Sequence, residues 1–248
     1  MARTKDPHAA TVKAWKTRPR HAAAAAATQS KGDFAERKLS YGSQTADSPE
    51  VRAAAERAYA LAAQIEPTVT PLVTSVAQKT GGTPVGLDYR LKSVEAIAGK
   101  MIRDALEKNI PPTEALGDLT DVNRYTIVYP PEALVERGTD AIKALTDAGW
   151  TPYDHKAKNY YPPGDAYDGF NAVYENKLGA RFELQFHTPD SVRIKEVAHK
   201  IFAKWRVTPA TDSPTKDRLW KQMVSLWDNY KRPTGYENLP GRKMGVAA

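Results

Sequence analysis

The chain has 248 residues, 26% charged and 41% hydrophobic, with no cysteine and a formal net charge of +7. Disulfides and thiolate metal sites are therefore excluded, no apolar run reaches the roughly 20 residues of a membrane span, and no Gly-x-x-x-x-Gly-Lys-Ser/Thr loop is present to cradle a nucleotide. Residues 1–40 hold nine basic and three acidic groups, while the rest holds 27 and 26, so the body is near neutral and not a globally basic nucleic-acid-binding surface.

Residues 1–48 are basic, Ala-rich and short of large apolar groups. They cannot bury enough surface to offset ordering entropy, which predicts a flexible arm or linker, with an RNA- or membrane-touching tail as the alternative. The Ala22–Ala27 run is too short and too weakly apolar for a secretory signal. Ser48-Pro49-Glu50 is a helix start, and Val51 to Ile65 places Ala55, Ala58, Tyr59, Ala62 and Ile65 on one face. Pro67 is expected to interrupt this helix, with a second from Thr70 to Lys79 ended by Gly81-Gly82. Thr83 to Lys92 reads as a strand, and Val94 to Glu107 as a helix closed by Pro111-Pro112. Arg90 and Lys92, two apart on an extended segment, face the same way. Lys100 follows on the helix, so three cations could converge where strand turns to helix, an arrangement suited to a polyphosphate. The plainer reading is a basic helix with a solvated face.

Asp121 to Tyr129 is rich in β-branched and aromatic residues and ends at Pro130-Pro131, which predicts a buried strand opened by Asp121. Glu132 to Ala148 is an amphipathic helix with Leu134, Ile142 and Leu145 inward, so strand, helix and strand suggest a crossover. Trp150 to Tyr161 is mixed, and Tyr160 to Asp165 is a loop by composition. Phe170–Tyr174 and Ala180–His187 form a hairpin. In its second strand Phe182, Leu184 and Phe186 alternate with Arg181, Glu183, Gln185 and His187, so the polar face meets water or lines a site. Thr188-Pro189-Asp190 caps a helix to about Arg206. Another covers Thr211 to Tyr230, with Leu219, Met223, Leu226 and Trp227 as packing residues, and the tail after Pro233 reads as loose.

Two acids stand out by position. If the strands of Asp121 and Glu183 are neighbours, the two carboxylates could share one hard cation such as Mg²⁺. Taken singly, Asp121 reads as a strand-end cap and Glu183 as a surface partner of Arg181 or Lys177. Lys156 and Lys158 before the Pro-Gly loop, and Tyr167 after it, could hold phosphate and stack a base, or form a solvated loop edge. His187 and His199 are candidate proton carriers, each equally well a partly buried histidine with a structural partner. The five histidines lack metal-ligand spacing, so no zinc site is expected.

Arg90-Leu-Lys92-Ser-Val-Glu-Ala96-Ile97-Ala-Gly-Lys100 resembles the Arg-x-Lys-x-x-x-Ser-Ile-x-x-Lys motif of RelA/SpoT-type nucleotide pyrophosphokinases, the alarmone synthetases. Asp121 with its hydrophobic strand, Tyr167-Asp-Gly169-Phe-Asn171, and Phe182-Glu183-Leu-Gln185-Phe-His187-Thr188 resemble that family's metal-binding strand, its Gly-Tyr-x-Ser-Ile-His segment and its Glu-Ile-Gln-Ile-Arg-Thr strand. The four motifs keep the family order across about residues 83–206. The resemblance implies an α+β, nucleotidyltransferase-like synthetase fold, with a mixed sheet of about five strands flanked by helices. It places the synthetase domain at residues 49–232, after the arm and before a tail from 233 to 248. The implied reaction moves the β,γ-pyrophosphate of ATP to a ribose 3′-hydroxyl and releases AMP. In it Arg90, Lys92, Lys100 and Arg124 would hold ATP, and Asp121 and Glu183 would position Mg²⁺, with Glu183 also near the attacked hydroxyl. Tyr167 would stack on the acceptor base, with Lys156, Lys158, Asn171, Gln185 and His187 on the acceptor side.

Departures from the motifs narrow this. Ala96 replaces the family Ser, and Thr126 stands where the metal strand carries Arg, with Arg124 two residues earlier as the candidate to supply that charge. His187 replaces the Arg of the last strand, and Pro162-Pro163-Gly164-Asp165 replaces the Pro-Lys-x-Asn whose Lys contacts acceptor phosphates in the family. The variants Arg124-Tyr125-Thr126, Gly169-Phe170-Asn171 and Phe186-His187-Thr188-Pro189 look like the toxic branch, whose members make adenosine alarmones or pyrophosphorylate the tRNA 3′ end. A guanosine acceptor, as in stringent-response signalling, and an inactive nucleotide- or RNA-binding module are the alternatives. No His-Asp dipeptide occurs, so the family's hydrolase domain is not expected, and restraint by an antitoxin or immunity protein is. The expected site of action is cytoplasmic, with delivery into a target cell as part of a secreted or phage-encoded toxin as a further reading.

Overall fold

A computed structural model describes residues 44–153, 156–209 and 211–244. The greater part of the basic arm lies outside them. The first element is α1 (Pro49–Lys79), a single helix of 31 residues where the sequence predicts a break at Pro67. Val51, Ala54, Ala55, Ala58, Ala62, Ile65, Val69, Val73, Val76 and Ala77 are buried along it at three- and four-residue steps, an apolar stripe that passes both prolines. Pro67 and Pro71 are exposed, so the carbonyls they leave without helical partners are on the side where water can bond them. Burial of the stripe thereby outweighs the local helix-breaking tendency.

Contacts divide the described chain into two compact units, residues 44–70, 88–124 and 175–182 in the first and 71–87, 125–174 and 183–244 in the second. The first unit is mainly helical. Its core joins Val51, Ala54, Ala55, Ala58 and Ala62 of α1 to Ile97, Ala98 and Met101 of α2 (Val94–Lys108), with Leu119 and Val122. Ser93 caps α2 by accepting the Ala96 N–H, and Asn109 ends it in the left-handed region at φ 54°. A short helix, α3 (Pro112–Ala115), leads to the loop that carries Asp121.

Most residues of the sheet belong to the second unit; the sheet is mixed, as expected, with seven strands where about five are expected, in the order β1-β2-β6-β5-β4-β7, with β3 paired to β5. The strands are β1 (Thr83–Val85), β2 (Arg124–Val128), β3 (Trp150–Pro152), β4 (Lys158–Asn159), β5 (Phe170–Asn176), β6 (Arg181–His187) and β7 (Arg242–Lys243). β1 and β2 pair antiparallel, as do β4 and β5, while β7 runs parallel to β4. The α+β class is as expected, but three spans are corrected. The strand predicted over Thr83–Lys92 stops at Val85, because Gly86 takes φ +67° and starts a 3-10 turn over Leu87–Tyr89. Asp121 does not open a strand; β2 begins three residues later. The tail read as loose supplies β7, with the Arg242 N–H on the Ala157 carbonyl and the Met244 N–H on that of Asn159.

One face of this sheet is core. Tyr125, Ile127, Phe170, Ala172, Leu184 and Phe186 are buried, and Phe170 stacks on Phe186 with centroids 5.3 Å apart. Helix α4 (Leu134–Asp147) packs there through Gly138, where a Cβ would lie 3.2 Å from Phe186 Cδ2. That close approach assigns the alternate positions of β5 and β6 to the opposite face. Helix α5 (Pro189–Val207) leaves the end of β6 through a Thr188–Ser191 capping box, and α6 (Ser213–Ser225) packs against it.

Candidate functional site

In the first unit Lys92 and Lys100 converge on one carboxylate. Lys92 Nζ is 3.2 Å from Asp121 Oδ2 and Lys100 Nζ is 3.0 Å from Oδ1. The local chain explains the meeting. Leu91 forms an isolated antiparallel bridge with Asn123, the Lys92 N–H donates to the Val122 carbonyl at 2.9 Å, and the buried Asn123 donates its amide to the Ala62 carbonyl at 2.9 Å. Lys92 and Asp121 are thus fastened side by side, while the capped start of α2 returns Lys100 from two turns along. Burial alone would raise the Asp121 carboxyl, but Lys100 and then Lys92 overcome it and hold the group below its ordinary value. It is an ionised hard oxygen donor, the chemistry that a magnesium ion requires.

Arg90 does not join them on Asp121. Its Nε lies 2.5 Å from Glu66 Oε1 on α1, which also accepts the Thr70 hydroxyl at 2.5 Å. These two hydrogen bonds hold the Glu66 carboxyl below its usual range. The corner is therefore two ion-paired centres in one unit, not three cations facing solvent. Arg124 is exposed and its N–H donates to the Arg90 carbonyl at 2.8 Å.

In the second unit the polar face gathers most of the predicted acceptor residues. Tyr167 Oη is 2.8 Å from Asn171 Oδ1 and 2.8 Å from His187 Nε2. Gln185 donates its amide to Glu183 at 2.5 Å, and its carbonyl oxygen lies 3.4 Å from the Thr126 hydroxyl. The polar face deepens along β6: Glu183 is half-buried, while Gln185 and His187 are buried. Protein rather than water covers its far end. Tyr167 is surrounded by rings near right angles to its own, with Tyr160 at 5.1 Å, His187 at 5.5 Å and Trp227 at 6.5 Å. Gly169 makes this fold-back possible, since a Cβ there would sit 2.7 Å from both Tyr167 Oη and His187 Cε1. Lys158 is exposed on β4 directly opposite Asn171, and so on the same face. Lys156 is half-buried in the turn before it, and His199 is exposed on α5.

Three further groups escaped the sequence reading. Lys195 of α5 donates to Gln185 Oε1 at 3.1 Å and stands 3.4 Å from His187 Nε2. Ser191, one turn before it, meets His187 Nδ1 at 2.8 Å. Their spacing of four on a helix that starts beside the site was the available signal. Behind Tyr167, the fully buried Asp168 carboxyl has Arg232 Nε 2.8 Å from Oδ2, an ion pair not aligned as a hydrogen bond. Burial pushes Asp168 up to about 7, against the pull of Arg232. No local pattern marks residues 168 and 232 as partners.

Among the described residues no cluster of three or more histidine, aspartate or glutamate side chains could hold a metal. No described helix is long and apolar enough to cross a membrane. No protein-family model matches the sequence. A search of curated proteins returns no relative. Solved structures do show likenesses. The Type VI effector Tas1, crystallised with its immunity protein, is 19% identical, with 70% of this chain and 94% of that one covered at a TM-score of 0.45. Small alarmone synthetase 1 from Bacillus subtilis, bound to its product pppGpp, is 16% identical over 70% of this chain and 87% of that one, TM-score 0.44. A GTP pyrophosphokinase family protein from Streptococcus pneumoniae is 13% identical over 72% and 90%, TM-score 0.44.

Proposed function

We propose that the chain is a toxin-like, ATP-dependent pyrophosphokinase that moves the β,γ-pyrophosphate of ATP to the ribose 3′-hydroxyl of an adenosine nucleotide or of the tRNA 3′ end. The observation that carries this reading is the pairing of Lys92 and Lys100 on Asp121. A structural ion pair needs one lysine. Two lysines drawn onto a single carboxylate, in a body that is near neutral after residue 40, make a charge centre ready to exchange partners. In the nucleotide complex the lysines hold the triphosphate, and Asp121 is a magnesium ligand. Glu183 is proposed as a magnesium ligand too, next to the acceptor hydroxyl. Bound magnesium supplies neutralisation of phosphate charge. Tyr167 with Asn171 orients the acceptor, with Lys158 placed to meet its phosphates. The protein's share is positioning and electrostatics, without a covalent intermediate. The motif variants resembling the toxic branch support an antitoxin or immunity protein as partner.

Incubation with γ-labelled ATP, magnesium and AMP, ADP, GDP or deacylated tRNA, with products separated, tests this. We expect AMP release and labelling of an adenosine acceptor or tRNA, both abolished by Glu183→Gln in a protein that keeps its fold. Labelling of GDP alone would assign the chain to guanosine alarmone synthesis. Binding of ATP with no AMP formed from any acceptor would make it a nucleotide-binding module.

A further inference from the structure

The Ser191, His187, Tyr167 and Asn171 side chains form a chain of hydrogen bonds whose protons can run either way. In one direction the Ser191 hydroxyl donates to His187 Nδ1, the Nε2–H donates to Tyr167, and Tyr167 donates to Asn171 Oδ1. In the other, Tyr167 donates to Nε2, the Nδ1–H donates to Ser191 Oγ, and Ser191 donates to the Thr188 carbonyl at 3.1 Å. The first direction leaves the Thr188 carbonyl without the Ser191 proton, and the second leaves Tyr167 without a proton for Asn171 until that amide rotates, so each costs one contact. The buried imidazole cannot choose between them by itself.

Lys195 breaks the tie. Its ammonium, 3.4 Å from His187 Nε2, has only protons to offer. An Nε2–H would point a proton towards a cation, whereas an Nε2 lone pair is stabilised by it. The same ammonium sits 3.1 Å from Gln185 Oε1, which turns the other end of that amide towards Glu183. We propose that Lys195 is a positioning residue that fixes the direction of both hydrogen-bond chains, holding His187 as the Nδ1–H tautomer and the Gln185 amine against Glu183. In this state the Tyr167 oxygen has lone pairs towards Asn171, which meets them with its amine after an amide rotation that costs no shape. The strand motif that the sequence resembles has an arginine at the place of His187. Here the positive charge comes instead from one helix over.

The groups facing the imidazole include Tyr167 from the loop before β5 and Ser191 and Lys195 from α5, with Glu183 of its own strand linked through Gln185. The consequence for transfer rests on the acceptor-face reading, but the tautomer does not, so the test uses no nucleotide. Long-range proton–nitrogen NMR of the full chain labelled with nitrogen-15, at a pH where His187 is neutral, reads the two ring nitrogens directly. We expect a protonated Nδ1 and an imine-like Nε2 in the wild type, an interchange of the two in Lys195→Met, and the wild-type pattern kept in Lys195→Arg. An Nε2–H in the wild type would overturn the proposal even if Lys195→Met failed to fold. So would an unchanged tautomer in folded Lys195→Met.

Discussion

At the scale of single residues, the clearest consequence of the structure concerns Asp121. Its carboxyl is depressed by Lys100 and Lys92 against the opposing effect of burial. A depressed carboxyl contributes stability above its unfolded value, near 3.8, and loses it as the pH falls through the lower folded value. Lys100→Met should raise the Asp121 titration, followed by its side-chain carboxyl carbon resonance, and move the acid limb of the unfolding curve to higher pH. On the proposed function, the same variant should weaken ATP binding by roughly 1.5–3 kcal/mol, the worth of a charged hydrogen bond, measured by calorimetry. An unmoved Asp121 would show that the ion pair seen here carries little energy. Asp168 makes the opposite case. Its carboxyl is raised to about 7, so the folded chain takes up a proton that the unfolded chain does not. That stability is present in full below about 3.8 and is lost as the pH rises through about 7. Urea unfolding between pH 5 and 8 should show a downward slope with pH in the wild type that flattens in Asp168→Asn, an isosteric group with no charge to bury. Equal slopes would contradict this.

At the scale of elements, α1 shows how far packing overrides local tendency. Two prolines four residues apart sit inside one helix because a buried stripe of small and β-branched residues continues past both. Proline costs a helix interior about 3 kcal/mol relative to alanine, offset by the ~0.4–1 kcal/mol it takes from the unfolded chain. Pro67→Ala should therefore stabilise the protein by roughly 2 kcal/mol in denaturant unfolding. A neutral or harmful outcome would mean that the proline shape is needed, most simply to set Glu66, its neighbour in sequence, against Arg90. Helix α5 is the second instructive element. Its capping box fixes its start at Thr188, and that start carries Ser191 and Lys195 to His187 in successive turns. A strand and the helix that follows it thus furnish most of one polar network from the single run Glu183 to Lys195, to which Tyr167 and Asn171 are joined.

At the scale of the whole molecule, the last described residues serve the sheet. β7 pairs with β4, the strand that carries Lys158 opposite Asn171. Gly241 before it has φ +97°, and a Cβ there would meet the Ala157 carbonyl oxygen at 2.6 Å, so the chain can approach β4 only through glycine. Removing residues 241–248 should expose the edge of β4 and raise amide exchange around Lys158–Tyr160. Unchanged exchange would mean that β4 is held by β5 alone.

Much of this protein could be read from residue order. Short-range physics determined the alternation of β6, the cap of α5, the hairpin and the amphipathic helix over Glu132–Ala148, because period, turn chemistry and capping act within a few residues. The ordered motifs likewise pointed to Lys92, Lys100, Asp121, Glu183 and Tyr167 as the residues to watch. Tertiary structure alone decided the rest. Whether α1 would break depended on a stripe buried by distant residues, and Arg90 met Glu66 across 24 positions that carry no shared pattern. Lys195, Asp168 with Arg232, and β7 with β4 are likewise pairings made by the folded chain. Electrostatic and ladder partners are chosen by proximity in space, and a sequence period records only proximity along one element.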